Sequence, residues 1–184
     1  MNLFDDYLDE IKKRKQQGLG AKPIDNGDLA REIIAHVKST SSKYHDQCVD
    51  FLIFNMLPGT TKAASEKAAF LKQIINNSYQ IKEISIDRAF ELLSHMKGGP
   101  SIKVLIDLAL SQDKTNSKKA AEVLKTQVFL YEADTARLIS AYRDNNSIAE
   151  DILKSYSKAE FFTKLPEIED EIEIVTYVAG EGDI

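Results

Sequence analysis

Apolar side chains recur at spacings of three and four along most of this chain, the pattern of helices that each bury one stripe. Leu3, Phe4, Tyr7, Leu8 and Ile11 form the first stripe and predict a helix over 2–17. Its acids (Asp5, Asp6, Asp9, Glu10) come early and its bases (Lys12, Lys13, Arg14, Lys15) late, the order that complements a helix dipole. Gly18 and Gly20 end it, and Pro23 keeps it ended. Leu29, Ile33, Ile34 and Val37 predict a second helix over 28–38, and Val49, Leu52, Ile53 and Met56 a third over 44–57. Pro58-Gly59 breaks the third, and Thr60 or Thr61 is placed to cap a fourth that runs through Ala64, Ala68, Phe70, Leu71, Ile74 and Ile75. Ser85 caps a fifth, which stops at Gly98-Gly99, and Pro100 opens a sixth with Ile102, Leu105, Ile106 and Ala109 inward. The seventh is predicted over 117–131, with Ala120, Val123, Leu124, Gln127 and Val128 inward. Helices over 134–144 and 147–162 complete the set.

About nine helices joined by short polar loops predict an all-α body of antiparallel pairs. Without a crisp repeat, the expected arrangement is a loose HEAT-like stack, with an irregular bundle as the alternative. The pattern changes after Leu165-Pro166. Glu171 to Val178 alternates polar and apolar with period two, which predicts a strand. A lone strand has nothing to pair with in a helical body, and even a two-stranded hairpin is marginal in water. The chain therefore reads as a truncated piece of a longer polypeptide: a helical domain over 1–163, then an acidic linker and the first strand of a following domain over 164–184.

Charge sharpens this division. The net charge of −5 is concentrated at the end, where 165–184 holds seven acids and no Lys or Arg. The remainder carries 22 acids against 24 bases, too balanced for a nucleic-acid footprint. The basic run Lys12 to Lys15 reads as a solvated helix end rather than a phosphate-binding patch. No apolar run approaches the length of a membrane span, and the first residues have no basic n-region or apolar h-region. A single cysteine, Cys48, excludes an internal disulfide. Together these features predict a cytoplasmic protein with no membrane partner.

Candidate chemistry is sparse. His45-x-x-Cys48 sets two metal-capable side chains on one helix face, but His36 and His95 lie on other helices at no supporting spacing, short of a zinc ligand set. Cys48 with His45 as its base lacks an orienting third group, and a buried, inert thiol is the expected state. Carboxylate pairs fall on polar helix faces. The residue pattern therefore assigns no catalytic, cofactor-binding or metal residue. Met96-Lys97-Gly98-Gly99-Pro100-Ser101 stands apart. Two glycines there are consistent with a tight helix cap, with close approach of another backbone or domain, or with an anion on the next helix's amides, although Pro100 removes one donor. Met96, Gly98, Gly99 and Pro100 are the candidate residues of a domain or dimer interface.

The order of these motifs resembles the N-terminal region of aconitase B, the bacterial bifunctional aconitate hydratase and 2-methylisocitrate dehydratase family. The resemblance rests on Gly20-Ala21-Lys22-Pro23-Ile24-Asp25, on Leu57-Pro58-Gly59-Thr60 before Lys67-Ala68-Ala69-Phe70-Leu71, and above all on the run from Ala89 through Leu92-Leu93 and Met96 to Gly98-Gly99. Ser155 to Phe162 and Ile174 to Ile184 are similar to the helix end and strand that lead into the family's next domain. Pro100 departs from the family, which usually has an aromatic there, and Tyr156 and Phe161 stand where it has tryptophans.

The resemblance implies a HEAT-like domain in front of swivelling and catalytic domains. It implies a parent lyase of the tricarboxylic acid cycle that isomerises citrate and isocitrate through cis-aconitate on a [4Fe–4S] cluster held by three cysteines. One cysteine cannot supply that set, so no cluster ligand is carried over to this chain. The implied role is a non-catalytic scaffold contacting the remaining aconitase domains in cis, a second copy in a homodimer or other metabolic enzymes, and shaping access to the active site. RNA binding by the apo-enzyme is implied by the family alone. A free-standing helical-repeat adaptor is the alternative, and a small enzyme using a helical groove is a third.

Overall fold

A computed structural model describes residues 3–128 and 130–158. Among them the fold is all-α: α1 Leu3–Gln16, α2 Gly27–Lys38, α3 His45–Asp50, α4 Lys62–Ile75, α5 Ile86–Met96, α6 Pro100–Ala109, α7 Lys114–Lys125, α8 Glu132–Arg143 and α9 Ser147–Ser157. The strand predicted over 171–178, and with it the 164–184 segment, lies outside the described residues.

Caps explain most helix starts. The Asn26 side chain accepts from the amides of Asp28 and Leu29, Thr61 from Ala64, Ser85 from Arg88, and Asn146 from Ile148 and Ala149. Each such cap is worth about 1 kcal/mol. Asp113 accounts for the largest shift from expectation. It accepts from Thr115 and Asn116, so α7 begins at Lys114 rather than 117 and ends at Lys125 rather than 131. Val128, expected inward, then falls beyond the helix and is 69% exposed. Gln127 stays buried, and its side-chain amide donates to the Ser94 carbonyl at 3.4 Å.

The third predicted helix also differs. It is α-helical only to Asp50 and then widens into a π-helical turn over Phe51–Asn55, closed by the Met56 amide on the Phe51 carbonyl at 3.1 Å. The exit is strapped to the loop before α2. The Ile24 amide donates to the Asn55 carbonyl at 2.8 Å, and the Leu57 amide to the Ile24 carbonyl at 2.9 Å. Ile24 is itself buried, so the strap is also a core contact.

Packing follows a ladder. α2, α4, α6 and α8 form one row, each touching the next; α5, α7 and α9 form a second. The rows meet through α4–α5, α6–α7 and α8–α9, while α1 and α3 both pack on α2. α4 touches α2, α5 and α6. Ala63, Ala64 and Ala68 are fully buried in it, Phe70 meets the Tyr79 ring at 5.8 Å and the Lys38 ammonium of α2 at 5.3 Å, and Leu71, Ile74 and Ile75 are buried with them. Burying each of those larger side chains contributes about 1.5–3 kcal/mol. At the N-terminal end, Phe4 is sealed between the rings of His36 and Tyr44, at 4.6 and 5.2 Å. Among the described residues, no helix is long and apolar enough to cross a membrane.

Candidate functional site

The glycine junction is built by contact within the chain. Lys97, Gly98 and Gly99 take φ of 50°, 124° and 56°, three successive left-handed residues between α5 and α6. A Cβ on Gly99 would lie 2.5 Å from the Gly59 carbonyl oxygen and 3.2 Å from the Thr60 Cα. The Gly59 amide donates to the Met96 carbonyl at 3.3 Å, locking the two turns together. Of the three readings of the Gly-Gly pair, the structure shows the close backbone, which belongs to the turn before α4, while the left-handed cap position of α5 is Lys97. The Gly99 amide is taken by the Tyr131 hydroxyl at 3.2 Å, and Pro100 has no amide proton to offer, so neither serves an anion. Met96 and Gly98 are buried, and Gly99 and Pro100 are half-buried. These four residues form no single exposed patch. They divide two grooves.

The larger groove, about 700 Å³, is lined by Gly99, Pro100, Lys72, Lys103, Asp107 and Asp134 among others. Its charges are matched. Asp107 receives Lys72 at 2.7 Å and Arg137 at 2.6 Å. Burial alone would raise the Asp107 carboxyl, but those two hydrogen bonds outweigh it and hold the group below its ordinary range. Asp134 is buried beside them, and desolvation raises its carboxyl despite the pull of Arg137 and Lys103.

The smaller groove, about 230 Å³, is lined by Phe54, Met56, Met96, Lys67, Arg88 and His95 among others, with no carboxylate among its described lining residues. Arg88 is paired with Glu91 at 2.7 Å. Lys67 is only 5% exposed, and its ammonium donates to the Ile53 carbonyl at 3.0 Å, a group in the π-helical turn. Desolvation, with a smaller push from Arg88, lowers the Lys67 ammonium to about 8. Phe54, at the lip, is 73% exposed.

His45 and Cys48 are drawn apart by the same helix. Cys48 is fully buried, and desolvation pushes its thiol up to about 12, so it is neither a ready metal ligand nor a nucleophile. His45 instead faces Glu83, with Nε2 3.5 Å from Oε1. Partial desolvation pushes the Glu83 carboxyl up, and its own backbone amide, Lys82 and His45 together pull it below the ordinary range. Asp46 completes a group whose ligand-capable atoms all lie within 4.8 Å of one another.

Reasoning from sequence passed over Lys67, Asp107, Asp134 and Glu83. Lys67 alone had a readable signal, because it lies three residues after Ala64 and four before Leu71, on the buried stripe of α4. The other three depend on contacts between segments 30 or more residues apart.

The family model for the Aconitate B N-terminal domain matches residues 6–162. The chain belongs to this family. Aconitate hydratase B of Helicobacter pylori is 28% identical over 181 residues, covering 98% of this chain and 21% of that protein. The Pseudomonas aeruginosa and Escherichia coli proteins of the same name are 27% and 26% identical, each covering 97% of this chain and 20% of its own length. The chain thus spans about a fifth of the length of the curated relatives it matches, at their N-terminal domain. The parent-type iron–sulfur cluster does not fit the residues present here. Its ligands are thiolates, and the single thiol of this aconitase B domain is buried in the core with its proton held on.

Proposed function

We propose that this chain is the N-terminal, non-catalytic interaction domain of an aconitate hydratase B enzyme. The parent would interconvert citrate and isocitrate in the cytoplasm on a [4Fe–4S] cluster lying in its other domains. The observation that carries the interaction role is Phe54, a large aromatic left three-quarters exposed at the lip of a groove whose lining has bases and no carboxylate. It stands with Ile53, Met56, Pro58 and Leu92 of the same groove, and an apolar patch beside Arg88 and His95 favours a covering surface. The remaining domains of the same polypeptide are the natural candidates, since the matched relatives are about five times longer than this chain. The two-row ladder of helices supports the HEAT-like reading, in which stacked pairs offer faces to partners. The end of the family match at residue 162 supports a boundary near 163.

The test is Phe54→Glu in the full-length enzyme. Citrate turnover is expected to fall, and protease cleavage between the first and second domains to rise, while the isolated chain melts as before. Unchanged turnover and cleavage would overturn the docking face. Loss of a dimer without change in cleavage would move the contact to a second copy, and loss of binding to another metabolic enzyme would move it there. The adaptor alternative fails if the reading frame continues past Ile184 into a domain with cluster cysteines. RNA binding finds no support in the near-neutral charge of 1–164.

A further inference from the structure

We propose that His45, Asp46 and Glu83 bind one divalent transition-metal ion of the zinc class. The ligands come from two separately anchored segments. His45 and Asp46 open α3, which is pinned by buried Cys48 and Val49. Glu83 lies in the turn bridged by Ile81 and Ile84, and Ile84 is fully buried. Both segments are thus held before any ion arrives, which lowers the ordering cost of binding.

The spacing is that of ligands rather than of a hydrogen bond. His45 Nε2 and Glu83 Oε1 are 3.5 Å apart. An imidazole–carboxylate hydrogen bond would bring them to about 2.7–2.9 Å. Two ligands on a tetrahedral ion at about 2.0–2.1 Å stand roughly 3.3–3.4 Å from each other. Glu83 Oε1 and His45 Nδ1 are both buried and make no hydrogen bond of good geometry, the oxygen having only Lys82 Nζ at 3.4 Å and His45 Nε2 at 3.5 Å near it. Leaving such atoms unmet is unfavourable. An ion on Nε2 and Oε1 satisfies the carboxylate oxygen and fixes the ring proton on Nδ1. The adjoining cavity, about 440 Å³ and lined by all three ligands, has room for water to complete the coordination.

The donor set chooses the metal. One imidazole and two carboxylates suit a borderline ion such as zinc, while calcium and magnesium prefer oxygen alone and copper(I) prefers sulfur. The nearest competitor is Lys82, whose ammonium lies 3.4 Å from the same Glu83 oxygen on a largely exposed side chain. A surface pair of this kind is worth little, so the ion can displace it.

The experiment is calorimetric titration of the 184-residue chain, stripped with a chelator, with zinc chloride. One ion per chain is expected at this site. His45→Gln, Asp46→Asn and Glu83→Gln should each weaken it about tenfold or more. Lys82→Met should tighten it, because a competing cation is gone. His36→Gln and His95→Gln should bind within twofold of the parent chain, and circular dichroism of every variant checks that the fold persists. The proposal is overturned if zinc binds no tighter than about 1 mM, if His45→Gln and Glu83→Gln bind as the parent chain does, or if Lys82→Met weakens binding.

Discussion

The two grooves beside the glycine junction share α4 as a wall and treat its lysines in opposite ways. Lys72, in the larger groove, meets the carboxylate of Asp107, which Arg137 also reaches. Lys67, in the smaller groove, meets only a backbone carbonyl and is more deeply buried. The first arrangement favours the ionised Asp107 carboxylate, because two cations lie at contact distance. The second pushes the ammonium toward neutrality, because a carbonyl dipole replaces only part of the lost hydration. Under the proposed function the second groove, with an exposed Phe54 and no carboxylate among its described lining residues, is the one that a partner would cover.

The sharpest way to break the comparison is to remove the wall between the grooves. Gly99→Ala forces a Cβ into left-handed backbone against the Gly59 carbonyl, and we expect a loss of about 3 kcal/mol or more in urea unfolding. Gly20→Ala, in open space, should stay within about 0.5 kcal/mol. Near-equal losses at the two sites would show that the 58–60 turn simply moves aside.

Lys67 gives the next effect. Its folded pKa is depressed, so between about pH 8 and pH 10.5 the unfolded chain holds the extra proton and stability rises with pH. The full span corresponds to about 3 kcal/mol. The penalty is wholly present below pH 8. Lys67→Met should flatten this part of the stability–pH curve relative to the parent chain, and parallel curves would refute the assignment.

Asp107 works with the opposite sign. Its carboxyl is depressed, so its contribution is present above the ordinary aspartate value and is lost as pH falls through the lower folded one. Asp107→Asn should cost about 1–2 kcal/mol near neutrality, since both partners stay partly solvated. The gap from the parent chain should close in acid, as denaturant melts at pH 7 and pH 2 would show. The smallest effect belongs to Phe54. Phe54→Ser should change the isolated chain by no more than about 0.5 kcal/mol. A larger loss would mean that the ring already packs within this domain and is not waiting for a partner.

Much of this architecture was legible in the chain. The stripe Ala64, Ala68, Leu71 and Ile75 placed α4, and Ser85 and Thr61 marked true helix starts. Asp113 was the missed cap, and missing it moved α7 by three residues at its start and six at its end. The π-helical turn at 51–55 was invisible, because its apolar residues fit an α-helical stripe equally well. The grooves were not legible either, since each is assembled from helices far apart in sequence.

The sequence by itself determined the all-α class, the buried stripes, the inert Cys48, the family and the need for glycine at 98–99. Periodicity, caps and composition act over a few residues, and so they can be read along the chain. Only the tertiary structure decided what Gly99 touches, which of two lysines five residues apart meets a carboxylate, and that His45 turns to Glu83 rather than to Cys48. Those outcomes depend on distances between segments and on how much water is excluded where they meet, and neither quantity is written in local order.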